Sequence, residues 1–495
     1  METINDNWDM AKQSEQKIEK LAHRSLSEGG EFKLDLERPE EYDAKSIVEV
    51  LRDTGFEAYF AGGYVRDKVL GVAPHDIDIA TNATPDEIEK LFDKTIAVGK
   101  AFGVERVILD NNPKRIYEVA TFRLEGPYSD KRRPDWVKFT SAEKDAQRRD
   151  FTINALFYDP IEQKIIDYVG GLEDLEKRRL RFVGKAQDRV DEDHLRIMRA
   201  VRFKNKYQLE MDAATEAAVK YNADLIKNVS AERIQEEFNK MMTDKLRAQT
   251  LVDLSEFGLL GKIMPELESM KGVSQPAEFH KEGDVWEHTI KSLKALPENA
   301  SLEVSLAVIF HDLGKPQTWQ EAPDRIRFSE HDSLGAEIAG KILRRLKYSN
   351  EVIDKVVWLV KNHMFFMNFR EMRVAKQRRM MAYPESEIPD KKETWFPELL
   401  MVHQADMDGT VSSDKIEKVS NDNLRKIKKI WQEEQERPKE EKIPAIIDGK
   451  TIMKEFGLKP SKEVGRLKTL AQDAFLEGTV KSKEEAINFL KSQKV

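Results

Sequence analysis

Two aspartates, Asp76 and Asp78, stand one residue apart soon after Gly62-Gly63-Tyr64-Val65-Arg66-Asp67. Carboxylates at this spacing suit hard divalent cations such as Mg2+, which take oxygen ligands and keep positions open for a phosphate. Two such ions stabilise both the attacking and the leaving oxygen of a phosphoryl transfer. A third acid, Glu118 in Ile116-Tyr-Glu-Val-Ala-Thr-Phe-Arg123, can complete the cage from a neighbouring strand. Gly62 and Gly63 offer bare backbone amides to phosphate oxygens. Arg66 and Arg123 offer guanidinium groups that grip two oxygens at once. A D-x-D alone also fits a solvated strand edge, and the two arginines equally suit salt bridges to Asp67 and Glu125. The glycine turn and the third acid are what favour metal chemistry.

A second constellation lies further along. Of nine histidines, six fall between residues 280 and 403. His288, the doublet His311-Asp312, His331, His363 and Asp406 are ligand types for a hydrolytic metal site, provided their helices converge. A lone helical histidine is more often a satisfied core residue, and His280 and His403 are read as structural. A His-Asp doublet with a histidine before it and an aspartate well after it is harder to explain that way.

Two further motifs flank the first site. Arg149 and Asp150 open an apolar run, with Asn154 placed to support them or to cap a local turn. Glu192-Asp193-His-Leu-Arg196 puts Asp193 and Arg196 on one helical face. A carboxylate beside a guanidinium offers acceptors and donors to a base edge, although an ordinary i,i+3 surface pair has the same spacing.

The elements that must carry these residues follow from periodicity. Residues 56–61 read as a buried strand, 64–70 as a short helix and 75–80 as a second, alternating strand. Residues two apart on a strand share a face, so Asp76 and Asp78 point together while Ile77 and Ile79 face the core. Strands and helices alternate over 41–171, and from Leu172 the pattern turns helical and stays so. The expected class is α+β, a head with a small mixed sheet followed by an all-helical remainder. Residues 1–40 form a polar extension. Residues 271–411 are the histidine-rich helical block, and 412–495 begin as a charged helical linker and end as a small helical unit.

Composition limits the rest. The chain has 495 residues, 35% charged and 40% apolar, with a formal net charge of −8. That balance disfavours nucleic-acid binding by the whole surface, yet residues 177–206 carry eleven Lys or Arg against four acids. The absence of cysteine excludes disulfide partners, thiolate metal sites and cysteine nucleophiles. No apolar run has the length of a membrane span and no signal-peptide core is evident, so a cytoplasmic location without a membrane partner is expected.

Taken together, Gly62-Gly63-x-x-Arg66-Asp67 with Asp76-x-Asp78, Arg148-Arg-Asp-Phe-Thr-Ile-Asn-Ala155, Glu192-Asp193-His-Leu-Arg196 and Ala231-Glu-Arg-Ile-Gln-Glu-Glu-Phe-Asn-Lys240 resemble the class II tRNA nucleotidyltransferases. These include bacterial CCA-adding enzymes and poly(A) polymerases. The resemblance implies that Asp76, Asp78 and Glu118 are catalytic and hold Mg2+. It implies that Gly62, Gly63, Arg66, Arg123, Arg149, Asp150, Asn154, Asp193 and Arg196 bind nucleotide, with Arg66-Asp67 partly structural. Asp150 would bind the ribose hydroxyl, Arg149 the triphosphate, and Asp193 with Arg196 would choose cytosine or adenine without a nucleic-acid template. By the same resemblance the loop at 125–138 is of full length, which in this family goes with adding the terminal A. Residues 172–270 would be the helical neck and RNA-binding body, its basic stretch tracking the acceptor backbone. Gly457-Leu-Lys-Pro-Ser-Lys-Glu-Val-Gly465 resembles a segment near the C-terminus of many bacterial CCA-adding enzymes.

The histidine block resembles the HD phosphohydrolases. By that likeness His288, His311, Asp312 and Asp406 bind one metal, His331 and His363 a second, and Lys315 contacts a phosphate. The ion would be a divalent transition metal or Mg2+. The function implied is CCA addition to the tRNA 3′ end from CTP and ATP, with a phosphohydrolase activity beside it. The alternatives are an A-adding enzyme or poly(A) polymerase on the same scaffold, or an HD phosphodiesterase or phosphatase with an RNA-binding head.

Overall fold

The computed structural model describes residues 34–129, 134–276, 283–323, 325–382, 394–410, 414–436 and 446–493. Residues 1–33 of the polar extension, 130–133 of the 125–138 loop, His280 and residues 437–445 of the linker lie outside the described residues. The chain folds as two compact units. One comprises residues 1–230 with 256–262, the other 231–255 with 263–495. This division is coarser than the five segments read from the sequence.

The first unit is built on a mixed sheet. Its elements begin with α1 (Pro39–Asp53), β1 (Ala58–Ala61), α2 (Gly63–Val69), β2 (Asp78–Thr81), α3 (Pro85–Leu91), β3 (Thr95–Gly99), β4 (Val104–Ile108) and β5 (Ile116–Thr121). There follow a hairpin β6 (Arg123–Glu125) and β7 (Val137–Phe139), then α4 (Ala142–Arg148), β8 (Phe157–Asp159) and β9 (Lys164–Ile166). The seven-stranded sheet has the order β3-β4-β5-β2-β1-β8-β9. Only β2 and β5 run parallel, which makes it mixed. β1 lies well inside this order, and its four residues are all buried. Tyr59 and Ala61 pack with Phe122 and Phe157 on one face. Phe60 meets Tyr64 and Tyr158 on the other. Strand β2 starts three residues later than the alternation suggests, yet Ile77 and Ile79 are buried while Asp76 and Asp78 are exposed.

The unit continues through α5 (Gly171–Glu176), β10 (Arg179–Leu180), α6 (Ala186–Glu192), α7 (Arg196–Lys206), β11 (Glu210–Met211) and α8 (Ala213–Tyr221). The expectation of unbroken helix after residue 172 is therefore corrected. β10 and β11 pair in parallel, over two residues each. Strands this short leave no periodic signal to read.

The second unit is helical apart from one small hairpin. It holds α9 (Ala231–Met242), α10 (Arg247–Glu256), α12 (Pro265–Glu268), α13 (Val285–Ala295), α14 (Leu302–Phe310) and α15 (Lys315–Thr318), while α11 (Leu260–Ile263) falls almost wholly within the first unit. The hairpin is β12 (Trp319–Glu321) with β13 (Ile326–Phe328), a second exception to the all-helical reading. Next come α16 (His331–Arg345), α17 (Asn350–Asn362), α18 (Val374–Ala382), α19 (Phe396–Gly409) and α20 (Asp414–Gln435). A terminal trio, α21 (Gly449–Phe456), α22 (Lys462–Leu476) and α23 (Lys483–Ser492), closes over Ile447, Ile452, Leu467 and Leu490. Helix α14 reads Leu-Glu-Val-Ser-Leu-Ala-Val-Ile-Phe and is buried from Val304 to Phe310. It forms the middle of this unit, in contact with α13, α16, α17 and α19.

Candidate active site and metal centre

In the head, the parallel pairing sets Ile79 opposite Val119. Asp78 and Glu118, one step earlier on each strand, therefore stand side by side. The Asp78 carboxyl is pushed up to about 6. Desolvation is the largest cause, since the carboxyl lies deep among protein atoms although the residue's outer face is open. The charges of Glu118 and Asp76 add to it, and Arg149 opposes. Carboxylates that repel one another like this accept a cation. Among the described residues, however, those of Asp76, Asp78 and Glu118 do not all come within 4.8 Å of one another. Glu118 also takes Arg106 Nε at 2.9 Å and Nη2 at 2.6 Å on a single oxygen.

The glycine turn differs from expectation. The Gly62 amide donates to the Leu156 carbonyl at 2.9 Å and so does not cradle phosphate. Gly62 is glycine for two other reasons: its φ is 63°, and a Cβ there would lie 2.8 Å from Arg149 Nη1. Gly63 is the first residue of α2, where an amide has no partner within the helix.

The arginines are engaged. Arg66 is buried, donates from Nε to Asp67 at 2.8 Å, binds Asn154 Oδ1, and lies 4.3 Å from the Tyr207 ring centroid. Arg123 binds Glu125 and, through Nη1, the Phe102 carbonyl at 2.6 Å. Arg149 is held by Asp145 at 3.0 Å and by the Asn154 carbonyl at 3.0 Å.

Asp150 is surrounded by donors. Burial alone would raise its carboxyl, but Arg199, Asn154 and Arg196 hold it well below the usual range. Asp193 and Arg196 are not on one helical face. Asp193 caps α6 with φ −144°, and Arg196 opens α7. Arg196 pairs instead with Glu192 and donates to the Arg189 carbonyl at 2.9 Å. The basic stretch at 177–206 is likewise spent internally, and of its eleven cations only Lys177, Lys185 and Lys206 are exposed.

In the second unit, the six ligand candidates converge. His288 on α13 has its Nε2 3.2 Å from His311 Nε2 and 3.0 Å from Asp406 Oδ1. His331 Nε2 lies 3.3 Å from His363 Nε2. Asp312 stands between the two sets, with Oδ2 3.3 Å from His311 and Oδ1 3.6 Å from His331. Asp312 thus belongs as much with His331 and His363 as with the first set, where the sequence reading placed it. Nitrogen and oxygen ligands about 2.1 Å from one ion lie roughly 3 to 3.4 Å apart, so these spacings fit metal coordination.

The orientation of the imidazole rings supports that fit. His311, His331 and His363 each sit with Nδ1 2.7–2.8 Å from a carbonyl three residues earlier, at Val308, Phe328 and Val360. An Nδ1–H directed there leaves Nε2 as the inward lone pair. His311 and His363 occupy the C-caps of α14 and α17, where the helix dipole is negative and favours a cation. Burial alone would lower His311, but Asp312 and Asp406 push it up to about 10. His363 is pushed down to about 4 by burial and by His311 and His331. Lys315 is buried, 2.7 Å from both Asp312 Oδ2 and Gln275 Oε1. His403 packs its ring 4.9 Å from that of Phe366.

A CCA-adding enzyme of Lactococcus lactis subsp. lactis is 32% identical to this chain over 451 residues, 91% of this chain and 96% of the relative. The chain belongs to the CCA-adding enzyme family. As a member of that family it is a nucleotidyltransferase. Profiles of the poly A polymerase head domain, the probable RNA and SrmB-binding site of polymerase A, and the HD domain match residues 58–181, 208–271 and 285–392. The Bacillus stearothermophilus CCA-adding enzyme solved with CTP superposes with a TM-score of 0.62 at 25% identity, covering 92% of this chain and 98% of that one. The Thermotoga maritima CCA-adding enzyme complexed with tRNA_CCA shares the fold, at 16% identity and a TM-score of 0.53, over 93% and 97% of the two chains. No described helix is long and apolar enough to cross a membrane.

Three residues of this family member escaped the sequence reading. Asp145 holds Arg148 and Arg149, Arg199 holds Asp150, and Gln275 holds Lys315. Arg199 had a signal, since it follows Arg196 by three residues. Nothing local marks Gln275.

Proposed function

We propose that this chain adds C, C and A in order to the tRNA 3′ end, taking CTP and ATP. The observation that carries the reading is the Asp78–Glu118 pair with Asp76 beside it, whose mutual repulsion suits a cation. When bound there, Mg2+ supplies charge neutralisation for a triphosphate and acidifies the primer hydroxyl. Asp76 and Asp78 hold it, and Glu118 adds negative charge from the next strand. Arg149, held by Asp145 near Asp78, offers positive charge to the triphosphate. Asp193 and Arg196, at the break between α6 and α7, present an acceptor and a donor to the incoming base. The relatives' names and the solved CTP and tRNA complexes support this choice of substrates.

The second unit is a separate phosphohydrolase. His288, His311, Asp312, His331, His363 and Asp406 hold one or two divalent ions, Mg2+ or a transition metal, and Lys315 steadies Asp312. Separation of function tests both parts. Asp78→Ala should lower nucleotide addition by more than about a hundredfold while leaving hydrolysis of a generic phosphodiester intact, and His311→Ala should do the reverse. Loss of both activities in either folded variant would refute two independent sites.

A further inference from the structure

Single exposed apolar side chains are ordinary on a protein surface, so place rather than exposure singles out Trp319. The hairpin of β12 and β13 follows α15 directly, and only Ser329 and Glu330 separate it from α16. It is strung between Lys315 and His331. Three contacts tie its β13 end to the second site. The Phe328 carbonyl lies 2.8 Å from His331 Nδ1, and the Phe328 ring centroid lies 5.3 Å from Lys315 Nζ. The same ring stands 6.5 Å from that of His331. Lys315 is in turn 2.7 Å from Asp312 Oδ2.

The register sets Trp319 directly opposite Phe328. Opposed residues of an antiparallel pair share a face, with Cβ atoms about 5 Å apart. The indole is therefore carried on the face that holds Phe328 against Lys315. It is 41% exposed, whereas Phe328 is half-buried. Among the described residues the indole has no hydrogen-bond or ring partner. As a cross-strand neighbour of Phe328 it steadies the hairpin, but a β-branched residue would do that as well. A flat ring half open to solvent adds something else, a surface on which any nucleobase can stack.

We propose that Trp319 is a specificity-determining residue of the second site: its indole stacks on the nucleobase of a phosphate ester whose phosphate lies at the cluster around Asp312. This rests on reading the second unit as a phosphohydrolase. Phe328 borders the cluster on this side, so a group attached to that phosphate passes over Phe328 to reach the indole. The preferred ligand carries a base, as a free nucleotide or an RNA end, and a bare sugar phosphate binds less well. Trp319 acts on binding of the base and leaves the hydrolytic step to the cluster.

The test compares the full chain with Trp319→Val and Trp319→Phe. The probes are adenosine 5′-monophosphate, ribose 5-phosphate, which lacks only the base, and a short 5′-phosphorylated RNA. Hydrolysis is followed with added Mg2+ or Mn2+, and binding by equilibrium dialysis after metal removal. Any nucleotide held by the head is common to all three proteins, so their differences report Trp319. Trp319→Val should weaken adenosine monophosphate binding and raise its KM about tenfold, or about 1.4 kcal/mol, which one base–aromatic stack supplies. Its kcat, and all values for ribose 5-phosphate, should move less than about twofold. Trp319→Phe should recover most of the loss. A parallel loss on the RNA adds RNA ends to the ligands, and a loss on one probe alone names the source; either bears the proposal out. It is overturned if folded Trp319→Val keeps wild-type binding and KM for both the nucleotide and the RNA. It is equally overturned if ribose 5-phosphate suffers as much, since Trp319 would then only support the hairpin. Should Trp319→Val not fold, Trp319→Thr decides on the same terms. Wild-type protein that hydrolyses none of the three would remove the phosphohydrolase reading, and the dialysis comparison would still decide on Trp319.

Discussion

Glu41 and Asp78 are carboxylates of one domain driven in opposite directions. Asp78 is desolvated, faces other acids and is pushed up to about 6. Glu41 is buried, which alone would raise it, but the amides of Arg38 and Glu37 and the Lys68 ammonium bring it down to about 2. A carboxylate with a depressed folded-state pKa stabilises the protein above its ordinary value, and that stability is lost as pH falls through the folded value. Glu41→Gln should therefore be less stable than wild type above about pH 5, and the gap should shrink between about pH 4 and 2. Urea titrations at several pH values measure the gap directly, and a gap that does not change with pH would contradict the role assigned to Glu41. At this scale the shared direction of Asp76 and Asp78 was legible, because alternation around the buried Ile77 and Ile79 leaves them only one way to point. The partners of the arginines were not legible. A guanidinium suits a phosphate and a carboxylate equally, and only the fold shows that Arg66 and Arg123 meet protein groups.

Glycine and helix ends decide the geometry of the second unit. A Cβ on Gly314 would lie 2.2 Å from the His331 carbonyl oxygen and 2.9 Å from the Gly335 amide, both backbone atoms that cannot turn aside. The turn after Asp312 therefore passes close to the start of α16, which brings His331 to Asp312. Gly314→Ala should cost about 1–3 kcal/mol through overpacking and reduce the metal retained after dialysis. Gly465→Ala on α22, where no atom lies within 4 Å of the added carbon, should be neutral or stabilising. Equal stability and metal content in the two variants would show that the close approach does not matter. Convergence of the ligands was foreseen from the types and order of the residues. The break between α6 and α7 was not, since Glu192-Asp193-His-Leu-Arg196 contains neither Gly nor Pro to mark it. The hairpin of β12 and β13 was missed because three-residue strands carry no period.

For the whole molecule, charge is mostly an internal matter. The net charge of −8 and the eleven cations of 177–206 suggested a basic track on an acidic protein. In the fold, Arg179 and Arg181 pair with Asp174, Arg189 and Arg196 with Glu192, and Arg199 with Asp150. That stretch holds the head together, and its few exposed lysines are too sparse to form a track on their own. The order of motifs along the chain was readable at this scale, and it is what the family assignment bears out. The central claim is ordered addition at the head. It is tested most directly by supplying CTP and ATP, singly and together, to synthetic tRNAs ending before CCA, after C, and after CC. The expected result is two cytidines and then one adenosine, each only on the tRNA that lacks it and none beyond. Addition of A to the CC-ended tRNA alone, or long A tails on any RNA, would contradict it.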